Sequence, residues 1–380
     1  MRNVLLITND YPPSVGGIAN ILHLICAALP PDRVAVLAQD APEAATFDAR
    51  QPFRTWRERY SPGGLRALLS TCRYLRRVRE IVRETQPGLL YFDKPWPLGM
   101  IGRLLRRRVP YVVHTFGNEV LEPRHWVIKW VRASVLRNAE RVIVISNFTR
   151  DQVEAVGVPR ERTAMIRPKV DIAQFDVPLD VEAFKAKEGL TGKRVILTVG
   201  RLVERKGMDR VIESLPEIAR AFPDVVYVIV GEGNDEARLR ALAAGHGVAD
   251  RVLFPGNRDV VAFYHACDVF AMVSRHIVER GDVEGFGVVY LEANACRKPA
   301  VGGNSGGVPD AIVNGETGLL VDPDDVSALA DVFKRLLGDP ELRRRLGEAG
   351  YARVQRECTL DKYAEEFVRL VLDAPPGDSA

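Results

Sequence analysis

The chain has 380 residues, 47% of them hydrophobic, with 53 Lys and Arg against 50 Asp and Glu. That length fits two domains of ordinary size, each with a core of its own. No apolar run reaches the ~18 residues of a membrane span, and the five cysteines are too scattered to form a metal-ligand pair or a redox motif.

Residues 4–7 read as a first strand, and the polar turn directly behind them leaves no room for a signal peptide. A cytoplasmic enzyme is expected, its cysteines small core or surface residues in a reducing compartment. Gly16-Gly17 follow that strand and precede a helix over 17–29. Without a Cβ, two glycines let the backbone approach a phosphate or sugar closely, although a plain strand-to-helix turn needs them as well. Residues 34–37 read as another strand. A long basic helix over 65–84 carries Arg66, Arg73, Arg76, Arg77, Arg79 and Arg83, with Arg66, Arg73 and Arg77 at helical spacing on one face. Strands follow over 89–92 and 111–114, a helix over 126–139 and a strand over 142–145. Such alternation specifies a parallel sheet with helices on both faces.

Residues 1–170 carry 27 Lys and Arg against 15 Asp and Glu, and residues 171–380 carry 26 against 35. A basic amino-terminal half points to an anionic partner. A membrane surface is the favoured one, at ~1 kcal/mol per basic residue near it, set against an ordinary solvated surface. The cluster Arg103, Arg106, Arg107 and Arg108 adds to it. No aromatic-basic interleaving or recognition motif supports nucleic acid.

Residues 168–175 read as the crossover into a second α/β domain, with strands over 195–199, 225–230, 252–254, 269–272 and 299–302. The final helix lies over about 360–372. The expected organisation is a domain over 1–172, joined by the terminal helix at about 360–374, and a second over 173–359.

Chemistry concentrates in the second half. Glu284 and Glu292 stand eight positions apart with a glycine-containing turn after the first. If Glu284 lies in a loop before a helix, Phe286 and Gly287 open that helix, whose free N–H groups suit a phosphate. One carboxylate then reaches a hexose hydroxyl and the other a ribose. Two solvated glutamates on a helix remain the plain alternative. Gly200-Arg201 and Lys206 follow the strand 195–199, at the carboxyl end where open α/β sheets bind ligands. Arg offers a planar donor fork and Lys a compact charge to a diphosphate. Gly231-Glu232-Gly233 can admit a nucleotide base but lacks the third glycine of a dinucleotide fingerprint. Arg258 is a candidate base-side contact, and the loop 304–307 a candidate backbone nest. Asp322-Pro323-Asp324 sits where a helix starts, so it reads as a start signal and not as a metal site. No other carboxylate or His cluster suggests a metal, and metal-independent chemistry is expected.

In this order and spacing, Gly16-Gly17, His114, Gly200-Arg201 with Lys206, Gly231-Glu232-Gly233, the Glu284/Glu292 pair and the loop 303–309 resemble the retaining glycosyltransferases of family 4. That resemblance implies the GT-B fold, two Rossmann-like domains with parallel sheets facing across a cleft. It implies that Gly16-Gly17 face the donor diphosphate and acceptor, that His114 contacts the donor sugar, and that Glu119 orients His114 or caps a helix. It implies front-face attack, with the leaving phosphate helping to deprotonate the acceptor. The stretches 8–13, 115–119 and 282–285 are similar to bacterial GDP-mannose-dependent phosphatidylinositol mannosyltransferases. A GDP-mannose donor and a lipid-linked or glycan acceptor follow as expectations, with Asp10, Tyr11, Asn118 and Glu119 as candidate acceptor or membrane contacts. Lys169 stands where the family has a glycine before Val170-Asp171. A UDP-sugar transferase, a sugar-nucleotide epimerase and a non-catalytic nucleotide-sugar-binding protein are the alternatives.

Overall fold

The computed structural model describes residues 2–14, 17–61, 63–117 and 125–373. Gly16, Asn118 and Glu119 lie outside them. The chain divides into two compact units, Met1–Pro168 together with Leu360–Ala380, and Lys169–Thr359.

The first unit contains strands β1 (Val4–Ile7), β2 (Val34–Gln39), β3 (Arg54–Glu58), β4 (Leu89–Phe92), β5 (Tyr111–Thr115), β6 (Arg141–Val144) and β7 (Thr163–Met165). They pair in parallel in the order β3-β2-β1-β4-β5-β6-β7. The central strands are buried on both faces, so they read as continuous apolar runs, as β1 and β4 do. Successive residues point to opposite faces and enter two separate cores. Leu5 and Ile7 pack with Tyr74, Val78 and Ile81 of the helix Gly64–Thr85. Val4 and Leu6 pack with Leu22 and Ile25 of the helix Gly17–Ala28 and with Phe367. Phe367 ends the helix Leu360–Phe367, and its ring lies 5.2 Å from that of Tyr91. Arg2 donates to the Val371 carbonyl at 2.9 Å. The segment 360–372 is thus part of the first core.

The second unit contains β8 (Arg194–Val199), β9 (Val225–Val230), β10 (Val252–Gly256), β11 (Val269–Met272), β12 (Ala300–Gly303) and β13 (Gly318–Val321). Their order is β10-β9-β8-β11-β12-β13, again parallel. Strand order reverses between β1 and β4 in one sheet and between β8 and β11 in the other. The carboxyl ends of those strand pairs are where such sheets open a crevice for ligands.

At the crossover, Lys169 is buried and its Nζ donates to the Glu357 carbonyl at 2.8 Å. The Val170 N–H donates to the Cys358 carbonyl at 2.8 Å, and Val170 pairs with Thr359 in a parallel bridge. The lysine therefore adds a tie between two segments that a glycine at this position would lack.

Three strands, β3, β7 and β13, are absent from the sequence reading. All three are sheet edges. Edge strands are short and pack against one neighbour, and β3 reads Arg-Thr-Trp-Arg-Glu, so the apolar signal fades there.

Candidate functional site

After β8 the chain passes Gly200 and Arg201, makes a short 3-10 turn over Glu204–Lys206, and enters the helix Met208–Ala221. Two cations of that turn converge on one carboxylate oxygen. Lys206 Nζ lies 2.5 Å and Arg205 Nη1 2.6 Å from Glu284 Oε2. Arg205 Nε also holds Asp282 Oδ1 at 2.8 Å. From behind, Gly307 N–H donates to the Glu284 carbonyl at 2.8 Å. Burial opposes ionisation of Glu284, but Lys206 and Arg205 outweigh it and hold the carboxyl below its ordinary range. Burial likewise lowers the Lys206 ammonium, with Glu284 acting against it. The pair stays charged because each charge sits on the other. Arg205 is a site residue that the sequence reading missed, because an Arg beside a Lys in a basic loop carries no periodic signal.

Beside this cluster a cavity of about 440 Å³ is lined by Val199, Gly200, Arg201, Val230, Gly231, Glu232, Asn257 and Val260. Its size falls in the range of small-ligand pockets. Two loops meet closely here. A Cβ on Gly231, whose φ is +136°, would stand 2.1 Å from the Gly200 carbonyl oxygen, and one on Gly233 would stand 2.1 Å from that of Leu202. These two glycines therefore serve loop-to-loop packing first. Arg201 is exposed and its side chain makes no hydrogen bond or ion pair among the described residues, so its guanidinium is unspent at the cavity wall.

The helix carrying Glu292 runs over Val288–Ala295, with Gly287 as its N-cap. It starts later than the reading that Phe286 and Gly287 open it, and the Phe286 side chain is buried. Glu292 Oε2 accepts from the Tyr264 hydroxyl at 2.7 Å. Burial raises its pKa, with Tyr264 and Lys206 acting in opposition.

Other expectations are corrected. Arg258 is turned to Glu188, at 2.8 Å, and lies over the Phe263 ring, so its neighbours Asn257 and Val260 line the cavity in its place. In the loop after β12, the N–H groups of Asn304, Ser305 and Gly307 donate to the carbonyls of Val321, Gly303 and Glu284. That loop braces Glu284 and is not an open anion nest. Among the described residues no three His, Cys, Asp or Glu side chains converge as metal ligands.

In the first unit His114, next to last in β5, is fully buried. Its Nδ1 shares a 2.8 Å hydrogen bond with the Tyr91 hydroxyl, its ring stacks on Phe116, and Nε2 has no hydrogen-bond partner among the described residues. Burial lowers its pKa to about 3, so the ring is neutral. Tyr11, expected as a surface contact, is buried with its hydroxyl 3.3 Å from His23 Nδ1. Asp10 is part-exposed, 3.8 Å from Lys94. Asp93, directly after β4, is fully buried, and neither carboxylate oxygen meets a hydrogen-bond partner of good geometry among the described residues. Burial raises it to about 6, against the pull of Lys94 and Thr8.

On the basic helix, Arg73 reaches the Arg59 carbonyl and Arg77 pairs with Glu80, so the face expected from Arg66, Arg73 and Arg77 is partly spent. The outward face is instead Leu65, Leu68 and Leu69, all exposed, followed by Cys72, Arg76, Arg79 and Arg83. No helix among the described residues is long and apolar enough to cross a membrane.

A family model described as Glycosyl transferases group 1 matches residues 180–353, and one described as Glycosyl transferase 4-like domain matches residues 16–169. The chain is 34% identical over 360 residues to a GDP-mannose-dependent alpha-(1-6)-phosphatidylinositol monomannoside mannosyltransferase of Mycolicibacterium smegmatis, covering 91% of this chain and 92% of that protein. It is 32% identical to a GDP-mannose-dependent monoacylated alpha-(1-6)-phosphatidylinositol monomannoside mannosyltransferase of Corynebacterium glutamicum, covering 98% and 99%. The crystal structure of Anabaena Alr3699/HepE in complex with UDP and glucose matches with a TM-score of 0.81 at 21% identity, over 98% of this chain and 100% of that one. WaaG, a glycosyltransferase involved in lipopolysaccharide biosynthesis, matches with a TM-score of 0.72 at 17% identity, over 97% and 99%. These structural likenesses show the fold, GT-B.

Two stability measurements check the electrostatics. Removing one partner of a buried pair strands the other charge and costs about 3–5 kcal/mol. Glu284→Gln, which leaves the buried Lys206 without its ion-pair partner, is therefore expected to lower unfolding free energy by about that amount in urea titration, and Glu284→Gln with Lys206→Met to recover most of it. A double variant as unstable as the single one would contradict the pairing. For Asp93, the folded pKa lies above the unfolded one, so the folded state binds more protons between about pH 4 and 6. Its contribution to stability therefore falls as pH rises through that window. Asp93→Asn is expected to exceed the parent by on the order of 3 kcal/mol at pH 7.5, the gain vanishing near pH 4. A gain that does not change with pH would contradict this assignment.

Proposed function

From the premise that the chain belongs to the family 4 glycosyltransferases of the GT-B fold, we propose that it transfers mannose from GDP-mannose, with retention of configuration, to an inositol phospholipid or another lipid-linked glycan. Its curated relatives carry this donor and this class of acceptor in their names and match it nearly end to end.

The observation that carries the reading is the division of labour within the two glutamates. Glu284 spends Oε2 on Lys206 and Arg205, and Glu292 spends Oε2 on Tyr264. The other oxygen of each makes no hydrogen bond among the described residues. Each carboxylate is thus held ready to accept from a hydroxyl, Glu284 from the hexose and Glu292 from the ribose. Arg201 supplies the unspent cation for the diphosphate, and Lys206 stands next to it against Gly200. Charge develops on the leaving diphosphate as the glycosidic bond breaks. Cations fixed in advance stabilise that charge without reorganising. As the family resemblance implies, attack comes from the face the diphosphate leaves, and a diphosphate oxygen takes the acceptor proton. The residues call for no metal in this scheme.

The helix Gly64–Thr85 carries the membrane contact in this account. Its exposed leucines enter the interface while the arginines behind them meet anionic headgroups at the cytoplasmic face.

The test is transfer from radiolabelled GDP-mannose to phosphatidylinositol mannoside, with the anomeric configuration of the product read by NMR. An α-linked mannolipid is expected, and Arg201→Ala is expected to lower kcat by about 10²-fold or more. Transfer from UDP-sugars alone would overturn the donor, and release of a modified free sugar would overturn the class. In vesicle flotation, Leu65, Leu68 and Leu69→Ser together are expected to abolish association with anionic vesicles. Undiminished flotation would remove that helix from the membrane contact.

A further inference from the structure

The crevice between β1 and β4 holds a group of charges that the scheme above leaves without a task. Thr8 and Asp10 follow β1, and Asp93 and Lys94 follow β4, whose last residues Ile7 and Phe92 are register partners. Thr8 shapes the turn, its hydroxyl accepting from the Asp10 N–H at 2.8 Å and donating to the Asp10 carbonyl at 3.2 Å. The same hydroxyl also bears on Asp93, where with Lys94 it opposes the effect of burial. Lys94 Nζ lies 3.8 Å from Asp93 Oδ2 and 3.8 Å from Asp10 Oδ2. Both separations exceed hydrogen-bond reach, so the ammonium keeps its donors. Lys94 and Asp10 are 26% and 29% exposed, whereas Asp93 beneath them is at 0%. A fully buried carboxylate whose nearest cation among the described residues stands 3.8 Å away calls for an explanation.

We propose that Asp10 and Lys94 form a polyol subsite for the acceptor, with Asp93 as the positioning residue that holds Lys94 from below. The inference rests on the glycosyltransfer reading and adds residues to it. A part-exposed ammonium and a part-exposed carboxylate, close but not clasped, present one donor and one acceptor side by side. Adjacent hydroxyls of a cyclitol or sugar ring offer the complementary pair, one oxygen accepting from Lys94 and the neighbouring hydroxyl donating to Asp10. Two carboxylates around one ammonium leave a net negative charge, which disfavours a phosphate at this spot. The ammonium itself stands between the carboxylates, where a metal ion would have to be. Asp93 supplies the buried counter-charge that keeps the lysine tethered at the crevice instead of extended into water.

The full-length protein carries the test, with GDP-mannose as donor and a short-chain phosphatidylinositol mannoside as acceptor. Lys94→Met is expected to raise the acceptor KM about tenfold or more, the loss of a hydrogen bond to a charged group. Donor KM and the thermal shift induced by GDP are expected to hold, which also shows that the variant is folded. Lys94→Arg is expected to restore most of the acceptor affinity. Asp93→Asn is expected to raise the acceptor KM in the same direction even while it stabilises the fold at neutral pH, a combination that a purely structural role would not give. An unchanged acceptor KM in Lys94→Met, or an equal rise in donor KM, would overturn the subsite and leave the glycosyltransfer reading standing. No transfer by the unmodified protein to any hydroxylated acceptor would overturn both.

Discussion

The loops at the carboxyl end of the second sheet are arranged around one carboxylate placed between two cations. Glu284 takes Lys206 and Arg205 on a single oxygen in a setting nearly closed to water. Removing three charges from water is costly, and such clusters seldom add net stability compared with apolar packing. What this one does is fix geometry. It ties the turn after β8 to the segment before the helix Val288–Ala295, and so sets where Arg201, Glu284 and Glu292 can stand. Asp282 takes the other side of the Arg205 fork, and the loop after β12 closes the arrangement through the Gly307 N–H. The glycines at 231 and 233 let neighbouring loops touch at backbone distance. The site is rigid because its polar groups are spent on one another, apart from the few left open.

The first unit shows the same economy with opposite signs. His114 and Asp93 both sit at strand ends and are both fully buried, and burial drives each toward its neutral form, lowering one pKa and raising the other. Each also retains atoms without a hydrogen-bond partner of good geometry among the described residues. Buried groups of this kind are expensive where nothing is to be recognised, and their position at the carboxyl edge of the sheet is where recognition takes place in this architecture.

The amino-acid sequence made the central strands legible because a strand buried on both faces is apolar throughout, as Val225–Val230 is. It did not reveal β3, β7 or β13, whose single neighbours demand less. Glu284, Glu292, Arg201 and Lys206 stood out through residue type at the ends of strands and through family resemblance. Their partners did not, since Arg205 and Tyr264 are found only when the chain is folded back on itself. His114 was visible as a strand-end histidine, but its burial was not, because exposure is a property of neighbours distant in sequence. The pairing of Arg258 with Glu188, 70 positions away, was hidden for the same reason. Asp93 carried a usable signal, a carboxylate immediately after the run Leu-Leu-Tyr-Phe, and the reasoning that singled out His114 applies to it as well.

The central claim is that the second unit holds a nucleotide-sugar site whose free cation is Arg201. Calorimetric titration of the purified protein with GDP, UDP and ADP tests it most directly, with Arg201→Ala alongside. The account predicts saturable binding of GDP in preference to the other two, and its loss in Arg201→Ala without loss of fold. Undiminished GDP binding by the Arg201→Ala protein, or no binding of any nucleotide by the parent, would contradict it.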